Sequence, residues 1–269
     1  MLSMMGRISL ITLASTFLMS CSTPPLPPAA GEVTVSDKDA MRLHYVPAGL
    51  FMMGNDEGWA GQKPAHEVRL DAFWVDETEV TNQMYALCVR AGSCRLPEDV
   101  TSYTRDQYFL DPRYAEFPVV RVSWHDADDY CRWAGRSLPS EPQWEKAARG
   151  TDGRLYPWGN NGPDQSLVNN VDVSFLDDTV QVGSYPQGAS PYGALDMAGN
   201  AWEWTADWFA VYPGGDPEAS VNFGQLYRVL RGGSFVDTAD ATTRYHNFPE
   251  LRNLDIGFSC VLSASPEPS

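Results

Sequence analysis

The segment RVLRGGSFVDTADATTRYH, residues 228–246, sets several reactive groups close together: the Ser234 hydroxyl after two glycines, the Asp237 carboxylate, the Arg244 guanidinium and the His246 imidazole. Ser234, Asp237 and His246 are nucleophile, acid and base types, the set a hydrolase needs. Closeness along the chain does not supply the hydrogen-bond geometry such a set requires, so a hydrolase is a minor expectation. The segment reads first as the frame of an active-site loop, with two glycines that let the backbone adopt conformations other residues resist. It contains no cysteine. The four histidines, His44, His66, His125 and His246, show no i, i+4 or other short ligand spacing, so no zinc site is expected. His125 falls in the first turn of a helix and reads as a surface or capping residue.

Elements that must position these groups can be read from caps and periodicity. Thr81 opens a first helix that runs to Ala91 and stops at Gly92. Ser123 with Asp126 three residues on has the form of a capping box, and Ala127, Tyr130, Cys131 and Ala134 then share one face up to Gly135. Ser140 and Gln143 repeat the pattern, with Pro142 tolerated in the first turn and Gly150 as the stop. HEVRLDAFWVD and YRVLRGG alternate like strands, and long Gly-, Pro- and Asn-rich stretches join them. The expected class is α+β with three short helices, small antiparallel sheets and much irregular chain. Trp124, Trp133, Trp144, Trp158, Trp202 and Trp204 are most simply core, since a buried indole removes a large apolar area from water.

The ends bound the compartment. Residues 1–20 carry Arg7 and then the apolar run Ile8–Met19, too short for a span of roughly 20 apolar residues and of the form of a signal peptide. Cys21 follows LMS as in a bacterial lipobox, so cleavage and acylation there would tie the chain to a lipid bilayer, more firmly than one acyl chain could. Residues 21–39 then serve as a lipidated, Pro-rich tether, residues 40–263 as one domain and 264–269 as a tail. Ser22 rather than Asp after the cysteine favours sorting to the outer membrane, facing the periplasm. Loss of residues 1–20 takes the formal net charge from −16 to −17, a body ill suited to nucleic acid. Four cysteines remain in an oxidising space. Cys88 and Cys94 flank VRAGS and can bridge locally. Cys131 and Cys260 would then close a loop worth roughly 5 kcal/mol on the chain-entropy estimate, against roughly 2 for the short one. Other connectivities would bring Cys88 or Cys94 to the C-terminal cysteine.

Six blocks in order, VPAGLFMMG (46–54), HEVRLDAFWVDETEVTNQMY (66–85), PVVRVSWHDADDYCRWAGRSLPSEPQWEKAARG (118–150), YPWGN (156–160), YGALDMAGNAWEWTADW (192–208) and RVLRGGSF with GFSC (228–260), resemble the formylglycine-generating enzyme, or sulfatase-modifying factor, family. The resemblance implies a C-type-lectin-like variant fold with little regular structure. It also implies a copper-binding cysteine pair in the loop after RGGS, soft thiolates suiting Cu(I). The matching positions are Asp237 and Thr242, hard oxygen groups that cannot cycle through thiolate or disulfide, so copper is not expected. Ser234 and Arg244 match residues lining the family's substrate pocket and, with His246, form the candidate groove, in which RGGS brings the backbone close and exposes a hydroxyl; alternatively they only hold the loop, with Arg244 paired to a core acid. Asp196 and Glu203 match carboxylates, and Gly199 and Ala201 carbonyls, of a family calcium site, which would take six to eight oxygen ligands. A second such site would fall near Asn169, Asn170 and Asp177. The family pairs the cysteine of GFSC with that of YCRW, Cys260 with Cys131, while Ser259 departs from the usual arginine of GFRC.

The resulting expectation is an envelope-anchored, calcium-stabilised member of this family without formylglycine-generating chemistry, which binds or assembles with a peptide, an envelope protein or a small molecule. Two rivals are a cysteine-independent periplasmic oxidoreductase or tailoring enzyme and a residual formylglycine-generating oxidase.

Overall fold

The computed structural model describes residues 27–169, 178–237 and 239–264. The expected lipidation at Cys21, and Asn170 and Asp177 of the expected second calcium site, lie outside the described residues.

The three helices form where their caps predict. In α1, Asn82–Arg90, the Thr81 hydroxyl accepts from the Met84 amide. In α2, Trp124–Trp133, Ser123 and Asp126 satisfy each other's amides. In α3, Glu141–Arg149, Ser140 and Gln143 do the same, and Gly150 ends the helix in a left-handed conformation, φ 69°. These bonds satisfy donors that the first turn of any helix leaves without partners.

The described residues also form ten short strands. The first sheet orders β1 (Val33–Val35), β2 (Arg42–Val46), β5 (Phe73–Asp76) and β10 (Val261–Ser263), all antiparallel. β3 (Gly49–Met53) and β4 (His66–Leu70) make a separate two-stranded ribbon. The second sheet orders β8 (Tyr245–Asn247), β7 (Arg228–Arg231), β6 (Trp202–Trp208) and β9 (Ile256–Gly257). Its β6–β9 pair runs parallel, against the expectation of antiparallel pairing throughout, because the chain returns from β8 through the irregular segment 248–255 rather than by a hairpin.

The domain also starts earlier than residue 40. β1 pairs with β2, the Gly31 amide donates to the Tyr45 carbonyl, and the compact unit spans 28–266, so the last residues assigned to the tether belong to the fold. The main core packs α1 and α2 against Trp204, Leu230, Ile256 and Phe258, and the expected shared face of α2 lies inside it. Cys88–Cys94 and Cys131–Cys260 are both disulfide-bonded, the second tying α2 to the strand end that follows β9. Trp144, Trp202 and Trp204 are buried, whereas Trp124, Trp133 and Trp158 are only partly so.

α3 departs most from a sequence reading. A helix written EPQWEKAAR should show its charges to water, yet Glu141, Glu145, Lys146 and Arg149 are all buried. Lys146 Nζ donates to the Pro47 carbonyl at 2.6 Å, and burial lowers its pKa. The two acids are met by arginines from the segment 228–246, which fixes that segment to the helix.

Candidate functional site

Both ends of the segment are clamped to α3. At its start Arg231 is fully buried and pairs with Glu145. Glu145 also binds Arg149 at 2.9 Å and accepts the Gly54 amide at 2.8 Å. At its far end Arg244 forms two parallel bonds to Glu141, at 2.6 and 2.8 Å, and donates to the Gly61 and Ala210 carbonyls. Its guanidinium lies 4.0 Å from the Tyr212 ring centre and 4.8 Å from that of Phe209. Every strong interaction of Arg244 is thus internal, which is the holding role and not the groove role. Its edge reaches a different cavity, of ≈ 430 Å³, with His66, Glu67 and Tyr212.

Between the clamps the chain turns sharply. The Ser234 amide donates to the Asp237 carbonyl at 2.8 Å. Gly233 has φ 76°, and a Cβ there would come within 2.5 Å of that carbonyl, so the turn demands glycine. Ser234 is fully buried, correcting the expected exposed hydroxyl: its Oγ accepts from the Val236 amide and donates to Asp255 Oδ2 at 3.3 Å.

The expected trio Ser234, Arg244 and His246 is not brought together. Residues alternate across a strand, and Arg244 and His246 both face Phe209, with the imidazole stacked 4.1 Å from it and held by Asn222 at 2.8 Å. Burial and the nearby Arg244 lower the His246 pKa. The residue between them, Tyr245, points the other way, with its ring centre 5.4 Å from that of Trp202. Ser234, Asp237 and His246 therefore do not form a hydrolase set: the partner of Ser234 is Asp255, and His246 belongs to an aromatic stack. Of the other histidines, His44 is buried 3.6 Å from Glu77, His66 touches the Pro64 carbonyl, and His125 is exposed near Glu250.

The positions matching the cysteine pair also part company. Asp237 is exposed and borders a cavity. Thr242 is fully buried; its hydroxyl donates to Asp240 at 2.7 Å and accepts from Gln62 Nε2 at 2.8 Å. One buried hydroxyl occupied in this way and one exposed carboxylate do not fit a copper ion.

The cavity beside Ser234 has a volume of ≈ 140 Å³ and is lined by Trp202, Asp237, Tyr245, Asn253, Asp255 and Ile256. Asp255 is half-buried; burial first, and Asp237 to a smaller degree, raise its pKa. Tyr245, Asn253 and Asp255 were not singled out in the sequence, and Trp202 was read as most simply core, with a sugar-binding aromatic platform as a minor alternative. The odd-even alternation of TTRYH carried the signal for Tyr245; nothing local marked Asp255.

A second acidic place surrounds the expected calcium residues. Asp196 accepts the Gly183 amide at 2.6 Å, and Glu203 accepts the Ser259 hydroxyl, which gives that departure from GFRC a partner. Glu79 joins them, one oxygen taking Asn200 Nδ2 at 3.0 Å and the other buried without a donor. Burial pushes Asp196 up to about 6 and Glu203 up to about 7. Burial, then the charges of Asp196 and Glu203, push Glu79 well above the usual range. Among the described residues no Arg or Lys pairs with any of the three. Nor do the described residues gather three or more His, Cys, Asp or Glu side chains into a metal cage. A site here would combine the Asp196 and Glu203 carboxylates with carbonyls such as those of Gly199 and Ala201, and the uncompensated acids fit a hard divalent cation.

Residues 30–264 match the sulfatase-modifying factor enzyme 1-like domain. The chain is 34% identical over 236 residues to the serine/threonine-protein kinase pkn1 of Chlamydia caviae, covering 81% of this chain but only 37% of that protein. It is 34% identical to the inactive C-alpha-formylglycine-generating enzyme 2 of Mus musculus, over 82% of this chain and 85% of the relative. The solved structure of PvdO from Pseudomonas aeruginosa superposes with a TM-score of 0.71 at 24% identity, covering 88% of this chain and all of that one, which shows a shared fold. With that fold, that length of match and the double-glycine turn in its expected place, the chain belongs to the sulfatase-modifying factor, or formylglycine-generating enzyme-like, family.

Proposed function

We propose that this protein is a member of the family without formylglycine-generating chemistry, anchored in the bacterial envelope through Cys21, that uses the cavity beside Ser234 to bind a ligand. One observation carries the reading: of the two positions where the chemistry needs thiolates, one holds an exposed carboxylate and the other a buried hydroxyl already bonded to Asp240 and Gln62. Neither can form a disulfide or hold Cu(I). Calcium, on this reading, is structural, held by Asp196 and Glu203 with the Gly199 and Ala201 carbonyls, and offsets carboxylates that otherwise repel one another in a buried place.

The test is direct. The full chain, charged with copper and mixed with a cysteine-containing sulfatase-motif peptide, leaves the peptide mass unchanged; conversion of the thiol to an aldehyde overturns the reading. Cys21→Ser moves the protein from the membrane to the soluble fraction if the anchor is as proposed. A cysteine-independent oxidoreductase or tailoring enzyme is the second reading, favoured by the open cavity with Asp255 in its wall and Ser234 buried behind it. It requires that a ligand bound there be chemically altered on incubation, which mass spectrometry of the recovered ligand decides.

A further inference from the structure

The cavity beside Ser234 has a composition that points to the charge of its occupant. Its acids are Asp237 and Asp255, and among the described residues no Lys, Arg or His lines it. Arg252, close by in sequence, turns instead to Asp126 at 3.0 Å, and Arg121 to Asp99 at 3.1 Å. Neither Asp237 nor Asp255 has an ion-pair partner among the described residues. Asp255 Oδ2 takes the Ser234 hydroxyl, but its Oδ1 is buried with no donor. A carboxylate left in this way in a half-buried place is costly, and its cost is relieved by a positive charge beside it, with or without an N–H to donate.

The remaining walls are aromatic and apolar. The Trp202 and Tyr245 rings sit 5.4 Å apart at an interplanar angle of 34°, and Ile256 closes the floor. Tyr245 is 46% exposed, so its ring forms part of an open mouth. Aromatic faces attract cations through the ring quadrupole, most strongly for Trp and when the cation has shed water. Carboxylates alone would suit a hydrated metal ion, but two indole and phenol walls do not coordinate one; together the two kinds of wall suit an organic cation.

We propose that this cavity binds a small organic ammonium ion, its charge set between Asp255 and Asp237 and its carbon body against Trp202 and Tyr245. The inference rests on the reading of this cavity as a ligand site and adds to it the class of ligand. At ≈ 140 Å³ the space takes a head of the size of tetramethylammonium or n-butylammonium rather than a whole peptide.

The experiment uses the full chain in detergent, with Trp fluorescence and calorimetry following titration by tetramethylammonium, n-butylammonium, their neutral counterparts tert-butanol and n-butanol, and calcium. The ammonium ions bind at least about tenfold more tightly than the neutral compounds, as a charge-assisted contact to a desolvated carboxylate should. Asp255→Asn weakens the ammonium ions about tenfold and Asp237→Asn by a smaller factor, while Tyr245→Ala, at an exposed position, weakens tetramethylammonium more than n-butylammonium. Melting curves confirm that each variant is folded before titration. Equal binding of charged and neutral probes overturns the proposal, as does displacement of the ammonium ions by calcium at the same stoichiometry, or affinity unchanged in both aspartate variants. If no ammonium ion binds while the sulfatase-motif peptide stays unconverted, the ligand class falls and the loss of thiol chemistry stands. If the peptide is converted while the ammonium ions bind, the reverse holds.

Discussion

Asp76 offers the sharpest test of the electrostatics of this core. It is buried at the end of β5, accepts the Cys260 amide at 2.9 Å, and has its other oxygen 3.4 Å from Arg136 Nε. Arg136 is drawn more closely to Asp39, with which it forms the nearer pair. Burial therefore dominates, and Asp76 is pushed up to about 7 despite the arginine and the backbone bond. An acid whose folded value is raised contributes stability that is complete below its ordinary value and lost as pH rises through the folded one. The gap between 3.8 and about 7 corresponds to about 4 kcal/mol at most, lost across that window. Asp76→Asn keeps an acceptor for the Cys260 amide and removes the titration. It introduces an amide near Arg136, but that offset is constant because the guanidinium stays charged. The measurement is urea unfolding of the full chain and the variant, disulfides intact and with EDTA, from pH 4 to pH 8. Glu79 and Asp196 titrate in both proteins and cancel in the difference; Glu203, which the Asp76 charge helps to raise, is made non-titrating by Glu203→Gln in both backgrounds. Wild-type stability relative to the variant should fall by up to about 4 kcal/mol between the two ends. A difference constant within about 1 kcal/mol, or a wild type that gains on the variant as pH rises, would show that Arg136 keeps Asp76 ionised and would refute the argument.

The remaining predictions concern the clamps, the turn and the acidic turn before β6. Arg244→Met strips a buried carboxylate of its bidentate partner and should cost about 3–5 kcal/mol in urea unfolding, with much of that recovered in the double variant Glu141→Gln/Arg244→Met; an unaltered midpoint for the single variant would mean that the pair is solvated in solution. Gly233→Ala should lose a few kcal/mol, since its φ of 76° and a contact of 2.5 Å to the Asp237 carbonyl leave no room for a methyl group; wild-type stability would place the turn in another conformation. Calcium at about 100 times its dissociation constant should raise stability by about 2.7 kcal/mol. Glu203→Gln should abolish that increment, and a calcium response retained by the variant would move the ion elsewhere.

What could be read in the sequence was whatever local chemistry decides. Ser123, Ser140 and Thr81 each cap a helix because a hydroxyl next to free amides has few better partners, and Gly150 stops one because an L side chain resists its φ. The cysteines pair as expected because a local bridge at Cys88–Cys94 leaves Cys131 only Cys260. The site was harder to read, since it depends on which way side chains face after distant strands meet. Arg244, placed in the groove by the resemblance, and His246, placed there with it, both fall on the Phe209 side at the start of β8, while Tyr245 between them faces the cavity. Asp255 reaches Ser234 only through the parallel pairing of β9 with β6. The burial of the charged face of α3 was not legible for the same reason: its counterions lie 86 and 103 residues further along the chain.

The twin anchorage of the 228–246 segment on one helix has a broader meaning. With Arg231 and Arg244 riveted to Glu145 and Glu141, the path of the chain between them is set by its endpoints, its glycine hairpin bend and its buried side chains, so the exposed positions along it, Val236 and Asp237, are free to change without unseating the domain. Such an arrangement works as a replaceable cartridge. Sulfur can give way to oxygen inside it, and one reactivity to another or to mere capture, while the surrounding architecture persists unaltered.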